Sequence, residues 1–109
     1  MEWKIILYES PRKEKPVEEF IKSLESSTLL KVGNVIDLLE IHGNILRMPF
    51  SKKITKEIYE LRIRGTEEIR IFYSFQSDRR IYLLHGFKKK SQKTPRKEIE
   101  IANKRLDTI

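Results

Sequence analysis

Lys88, Lys89, Lys90 and Lys93 follow closely on the apolar run Ile81-Tyr82-Leu83-Leu84, and Arg96 and Lys97 extend the charge before the first carboxylate, Glu98. Cations crowded in this way repel one another unless a polyanion offsets the repulsion, and RNA is the obvious polyanion. Crowding also lowers a lysine's pKa, so one amine becomes able to take a proton while a neighbour stays protonated and able to give one. Arg62 and Arg70 each interrupt an apolar alternation. They fall on the side of their strands opposite the expected core, where two planar guanidinium forks could converge on one phosphate. The competing reading is a surface salt bridge from Glu60 to one of them. Gln92 could touch a base edge or a phosphate, or simply order the loop. Lys52, Lys53 and Lys56 could extend a basic surface along a phosphate backbone, although solvent exposure explains lysine there equally well.

Neither histidine supports a two-histidine ribonuclease scheme. His42 precedes Gly43 at the expected end of a helix, where an imidazolium complements the helix C-terminus. His85 shares strand parity with Ile81 and Leu83 and reads as a satisfied core or hinge residue. There is no Ser-His-Asp order, phosphate-cradling glycine loop or pair of catalytic carboxylates. No ligand pattern calls for a metal or any other cofactor.

The chain has 109 residues, no cysteine and a formal net charge of +7. That length predicts one domain over residues 1–109. Lack of cysteine excludes disulfides, thiolate zinc sites and a thiol nucleophile. Glu2 and Lys4 interrupt any N-terminal signal sequence, and no apolar stretch reaches membrane-spanning length. A cytoplasmic protein without a membrane partner is expected.

The elements that must position these cations follow from periodicity. Trp3 to Tyr8 reads as a first strand stopped by Ser10-Pro11. Val17, Phe20, Ile21 and Leu24 recur at helical spacing after Pro16. Ser26 or Ser27 is expected to cap a second helix ending near His42-Gly43. Asn44 to Lys53 reads as a loop. Three strands are then expected, Ile54 to Arg64, Glu68 to Phe75 and Ile81 to Phe87, joined by turns at Gly65-Thr66 and Gln76-Ser77-Asp78. In the first, Tyr59, Leu61 and Ile63 face the core while Ile58, Glu60, Arg62 and Arg64 face away. Thr94 and Pro95 open a last helix with Ile99, Ala102 and Leu106 on one side. The order β-α-α-β-β-β-α predicts a small α+β domain: an N-terminal strand and a helical hairpin on a mainly antiparallel sheet, helices gathered on one face, and a short C-terminal helix.

Three blocks also resemble a known family: Phe87-Lys88-Lys89-Lys90-Ser91-Gln92-Lys93-Thr94-Pro95, Ile58-Tyr59-Glu60-Leu61-Arg62 and Ile69-Arg70-Ile71-Phe72-Tyr73. In order and spacing they resemble the phage-derived HigB-type branch of the RelE superfamily, over about Trp3 to Arg105. The resemblance implies a RelE-like fold and the toxin of a type II toxin–antitoxin pair that cuts messenger RNA in the ribosomal A site. It makes Arg62, Arg70 and Lys89 the catalytic candidates, while Lys52, Lys53, Lys56, Lys88, Lys90, Gln92 and Lys93 are expected as RNA contacts from their charge and position. The implied partners are the ribosome, messenger RNA and a HigA-like helix-turn-helix antitoxin, with DNA met only through the antitoxin complex. A gyrase-inhibiting toxin resembling ParE and a non-catalytic RNA-binding module are the alternatives.

Overall fold

The computed structural model describes residues 2–109. Strand β1 (Lys4–Leu7) leads to helices α1 (Pro16–Lys22) and α2 (Ser26–His42) and a 3-10 turn (Gly43–Ile45). Strands β2 (Ser51–Lys53), β3 (Tyr59–Ile63), β4 (Ile69–Gln76) and β5 (Arg80–Lys88) follow, then helix α3 (Arg96–Leu106). The strands form one sheet in the order β1-β5-β4-β3-β2. β1 runs parallel to β5, and every other pairing is antiparallel. This is the expected α+β arrangement, consistent with a RelE-like fold.

One sheet face is apolar because alternate residues are apolar. Leu61, Ile63, Ile69, Ile71 and Tyr73 are all buried there, with Val17, Val32, Val35 and Leu39 of α1 and α2 in the same core. Each fully buried Leu or Ile contributes about 1.5–3 kcal/mol. Gly86 lets α1 approach, since a Cβ there would stand 2.5 Å from the Phe20 ring. Gly43 ends α2 at φ +50°, and a Cβ on it would overlap the Trp3 indole. Tyr59, expected in the core, is only partly buried and stacks on Tyr73 at 5.6 Å between ring centroids. Tyr73 donates to or accepts from the Ser51 hydroxyl, and burial pushes its phenol up to about 12.

The structure corrects several expectations. The segment from Asn44 to Lys53 is not all loop, because Ser51 pairs with Leu61 and Lys53 with Tyr59 to add β2 to the sheet edge. β3 begins only at Tyr59 because residues 54–58 form a turn. In it the Ile54 amide donates to the Ile58 carbonyl and the Thr55 hydroxyl accepts from the Ile58 amide. Glu25, not a serine, occupies the N-cap of α2, and it makes no side-chain capping bond. Pro95 holds the N-cap position of α3, while Thr94 directs its hydroxyl elsewhere.

The largest correction concerns the second sheet face, which was expected to be open. Helix α3 covers part of it, burying Ala102, and carries Glu98 onto His85. His85 reaches that face through a bulge: Tyr73 pairs with Leu83 but Phe72 pairs with His85, leaving Leu84 as the extra residue. One inserted residue reverses the parity of everything after it. His85 is therefore satisfied, as expected, but on the face opposite Ile81 and Leu83. Its Nε2 lies 2.8 Å from Glu98 and its Nδ1 lies 3.3 Å from Arg105.

Candidate functional site

Arg62 on β3 and Arg70 on β4 are direct cross-strand partners. Glu60 is two residues before Arg62 and therefore shares its face. On β5 the bulge brings Phe87 opposite Arg70, and the next residue of that parity is Lys89, whose amide donates to the Glu68 carbonyl at 2.8 Å. Without the bulge, alternation would have turned Lys89 to the opposite face. Three strands thus deliver three cations and one carboxylate to one end of the second sheet face.

The carboxylate sits at the centre. Glu60 is 1% exposed and Arg70 is 2% exposed. Oε1 of Glu60 lies 3.7 Å from Arg62 Nε and 3.8 Å from Arg70 Nε, close enough for attraction but too far for hydrogen bonds. Both Nε atoms are buried without a hydrogen-bond partner. The Arg70 fork is held by the Ile69 carbonyl and by Glu68, each at 3.0 Å. Thr94 donates from its hydroxyl to Glu60 Oε2 at 3.1 Å. The basic loop is thus tied to the residue just before β4 where it begins and to β3 where it ends.

Beside these groups lies a cleft of about 440 Å³ lined by Arg62, Arg64, Glu68, Arg70, Lys89, Lys90, Ser91 and Gln92. Burial lowers the Lys89 pKa below that of an ordinary lysine; Glu60 opposes this, while Arg70, Arg62 and Lys52 add to it. For Glu68 burial works upward, but the hydrogen bond and charge of Arg70, helped by Gly65 and Arg64, leave the carboxyl below its usual range. The cleft therefore presents planar guanidinium forks and one amine of lowered basicity to an anion. Among the described residues, no group of three or more His, Asp and Glu side chains could hold a metal ion.

Of the residues expected from sequence, Arg62, Arg70, Lys89, Lys90 and Gln92 come together in the cleft. Lys52 stands nearby, opposite Glu60 in the β2–β3 register. Lys53 lies instead over the Tyr59 ring on the other face. Lys56 borders a separate hollow with Glu57 and Ser74. Lys88 forms a 2.7 Å ion pair with Glu67, which lowers the Glu67 pKa. Lys93 is exposed beyond the cleft lining. Arg64, Glu68 and Ser91 were not anticipated. The competing reading, a surface pairing of Glu60 with one arginine, is in fact a buried approach to both.

Residues 19–107 match the family described as Phage derived protein Gp49-like (DUF891). The chain belongs to this phage-derived family, a toxin family of the RelE/ParE type related to the RelE toxins of toxin–antitoxin systems. Membership implies an antitoxin partner. No curated protein matches the chain. Among the described residues, no helix is long and apolar enough to cross a membrane.

Proposed function

We propose that this chain is a HigB-type toxin that cleaves messenger RNA in the ribosomal A site, using the cleft bounded by Arg62, Arg70 and Lys89. The observation that supports this most is the convergence of those three cations, from three strands, beside a space open to an anion. Arg62 and Arg70 hold the scissile phosphate. The RNA 2′-hydroxyl attacks the adjacent phosphorus, and its P–O bond forms as the bond to the 5′-oxygen breaks. Lys89, with its weakened hold on a proton, takes the 2′-hydroxyl proton, and a protonated neighbour such as Lys90 supplies one to the leaving oxygen. The guanidinium forks offset the charge gathering on the non-bridging oxygens. No cofactor has a step in this scheme.

Lys52, Lys90 and Gln92 border the path of the message on either side of the reacting phosphate. Lys53, Lys56 and Lys93 contribute general attraction to RNA, which is salt-dependent and blind to base identity. Lys88, engaged by Glu67, has no part in the scheme. Such a site gains most from a substrate held in place by another machine, which supports the ribosome as its setting and the cytoplasm as its compartment.

A HigA-like helix-turn-helix antitoxin is the proposed partner, and DNA is met through that complex. Leu30 and Ile41 are 67% and 54% exposed on one side of α2, an apolar foothold that supports the helical hairpin as its docking face.

Mapping of 5′ ends in cellular messages after brief induction tests the reading. New ends within translated codons are expected. Intact messages with arrested gyrase would replace it with the ParE-like alternative, and intact messages with RNA retained on the protein would replace it with a binding module.

A further inference from the structure

Glu68 and the Ile69 carbonyl hold the outer nitrogens of Arg70, but the Nε atoms of Arg62 and Arg70 have no hydrogen bond, and cations brought together here should splay apart without a further anchor. We propose that Glu60 is the positioning residue of the cleft: one carboxylate oxygen sets the two arginines, and the other fastens the basic loop through Thr94. This rests on the nuclease reading only for its effect on catalysis.

Oε1 is nearly equidistant from Arg62 Nε and Arg70 Nε, at 3.7 and 3.8 Å. It lies between two otherwise unpartnered buried N–H groups. A charge at that point attracts both guanidinium groups equally and offsets their mutual repulsion. Oε2 accepts from Thr94 at 3.1 Å, at the C-terminal end of the loop carrying Lys90, Ser91 and Gln92 into the cleft. At its other end the loop is held by the Lys89 amide on the Glu68 carbonyl. Glu60 does not itself line the cleft and has almost no exposure, so it acts through other groups rather than on the RNA. Its charge also supports protonation of Lys89, against burial and the other cations.

Two substitutions separate the two functions. Glu60→Gln keeps an oxygen able to accept from Thr94 but removes the charge, whereas Thr94→Val keeps the charge but removes the bond. In single-turnover cleavage of a saturating, ribosome-programmed message, each is expected to slow the reaction roughly tenfold to a hundredfold per folded molecule. Glu60→Gln alone should move the Lys89-dependent limb of the pH–rate profile to lower pH, a shift that mere loss of stability would not produce. Amide hydrogen exchange over residues 89–93 is measured in parallel without RNA, and Thr94→Val is expected to accelerate it. Wild-type rates and an unmoved profile in both variants overturn the proposal for catalysis. Unchanged exchange in Thr94→Val overturns the loop latch, whether or not the wild-type protein cuts RNA. If the wild type does not cut while exchange accelerates as expected, the nuclease reading fails and the latch stands.

Discussion

Arg62 and Arg70 face each other across β3 and β4, and the Nε atom of each approaches the same oxygen of Glu60. Two like charges directly opposite in a sheet normally repel. Here a buried carboxylate makes the pair tolerable and leaves the arginines beside a cleft with their charge only partly compensated.

Lys89→Ala is expected to abolish growth arrest with little change in stability, because it removes an amine from the cleft rim. Arg70→Ala is expected to abolish it too but at a cost of about 3–5 kcal/mol, since it removes a buried guanidinium paired with both Glu60 and Glu68 and leaves Glu60 to Arg62 alone. Leu61→Ala should cost about 2–5 kcal/mol through loss of core volume. Induction at matched abundance, with urea unfolding of each purified variant, checks these effects. Wild-type arrest by Lys89→Ala would remove that residue from the mechanism.

Cleavage is expected to leave a 2′,3′-cyclic phosphate, or the 3′-phosphate from its hydrolysis, and a 5′-hydroxyl. A programmed message with a single 2′-deoxy substitution at the cut position should bind but remain whole, because phosphate charge carries most of the attraction. Normal cutting of that message would transfer the nucleophile's role to water.

His85 provides a stability switch away from the cleft. Arg105 Nη1 donates to Nδ1, which must therefore be the accepting nitrogen, so Nε2 carries the proton toward Glu98. Burial lowers the pKa from the ordinary 6.5, with Arg105 assisting and Glu98 opposing. Below that value the unfolded chain binds more protons than the folded one, so this contribution is fully present above pH 6.5 and lost as pH falls toward the folded pKa. The urea midpoint should decline between pH 7 and the acidic side of that window, and His85→Gln should flatten the decline. An equal slope in the variant would place the proton uptake elsewhere.

Two glycines should respond oppositely to alanine. At Gly43 the φ of +50° and a Cβ 1.9 Å from Trp3 Nε1 predict a loss of about 1–3 kcal/mol. At Gly33, inside α2 with nothing within 4 Å of a built Cβ, alanine should gain about 0.5–1 kcal/mol. Thermal unfolding of both variants gives the signs directly.

Alternation along β3 and β4 was sufficient to bring Arg62 and Arg70 to the same face, because period two is a local property. The burial of Arg70 was not legible, because it depends on contacts distant in sequence, with Glu60 on β3 and with the loop before α3. Nor was the face of His85, which a single bulged residue decides. Lysine identity alone could not separate Lys89 from Lys88. The choice is made by strand parity after the bulge and by Glu67 awaiting Lys88 on the other side. Three-residue β2 is too short for its own periodicity and exists because β3 offers a hydrogen-bonding edge.

The parallel pairing of β1 with β5 also imposes an order on synthesis. Lys4 pairs with Arg80 and Leu7 with Leu83, so β1 must wait for β5, the last strand in chain order, before it can join the sheet. Contacts this distant along a chain form late. Arg62 and Arg70 emerge before Lys89, and Thr94 follows them all. A growing polypeptide therefore carries unfinished parts of the cation cleft past the ribosome that makes it, and the cleft acquires its shape only after β5 has left the exit tunnel.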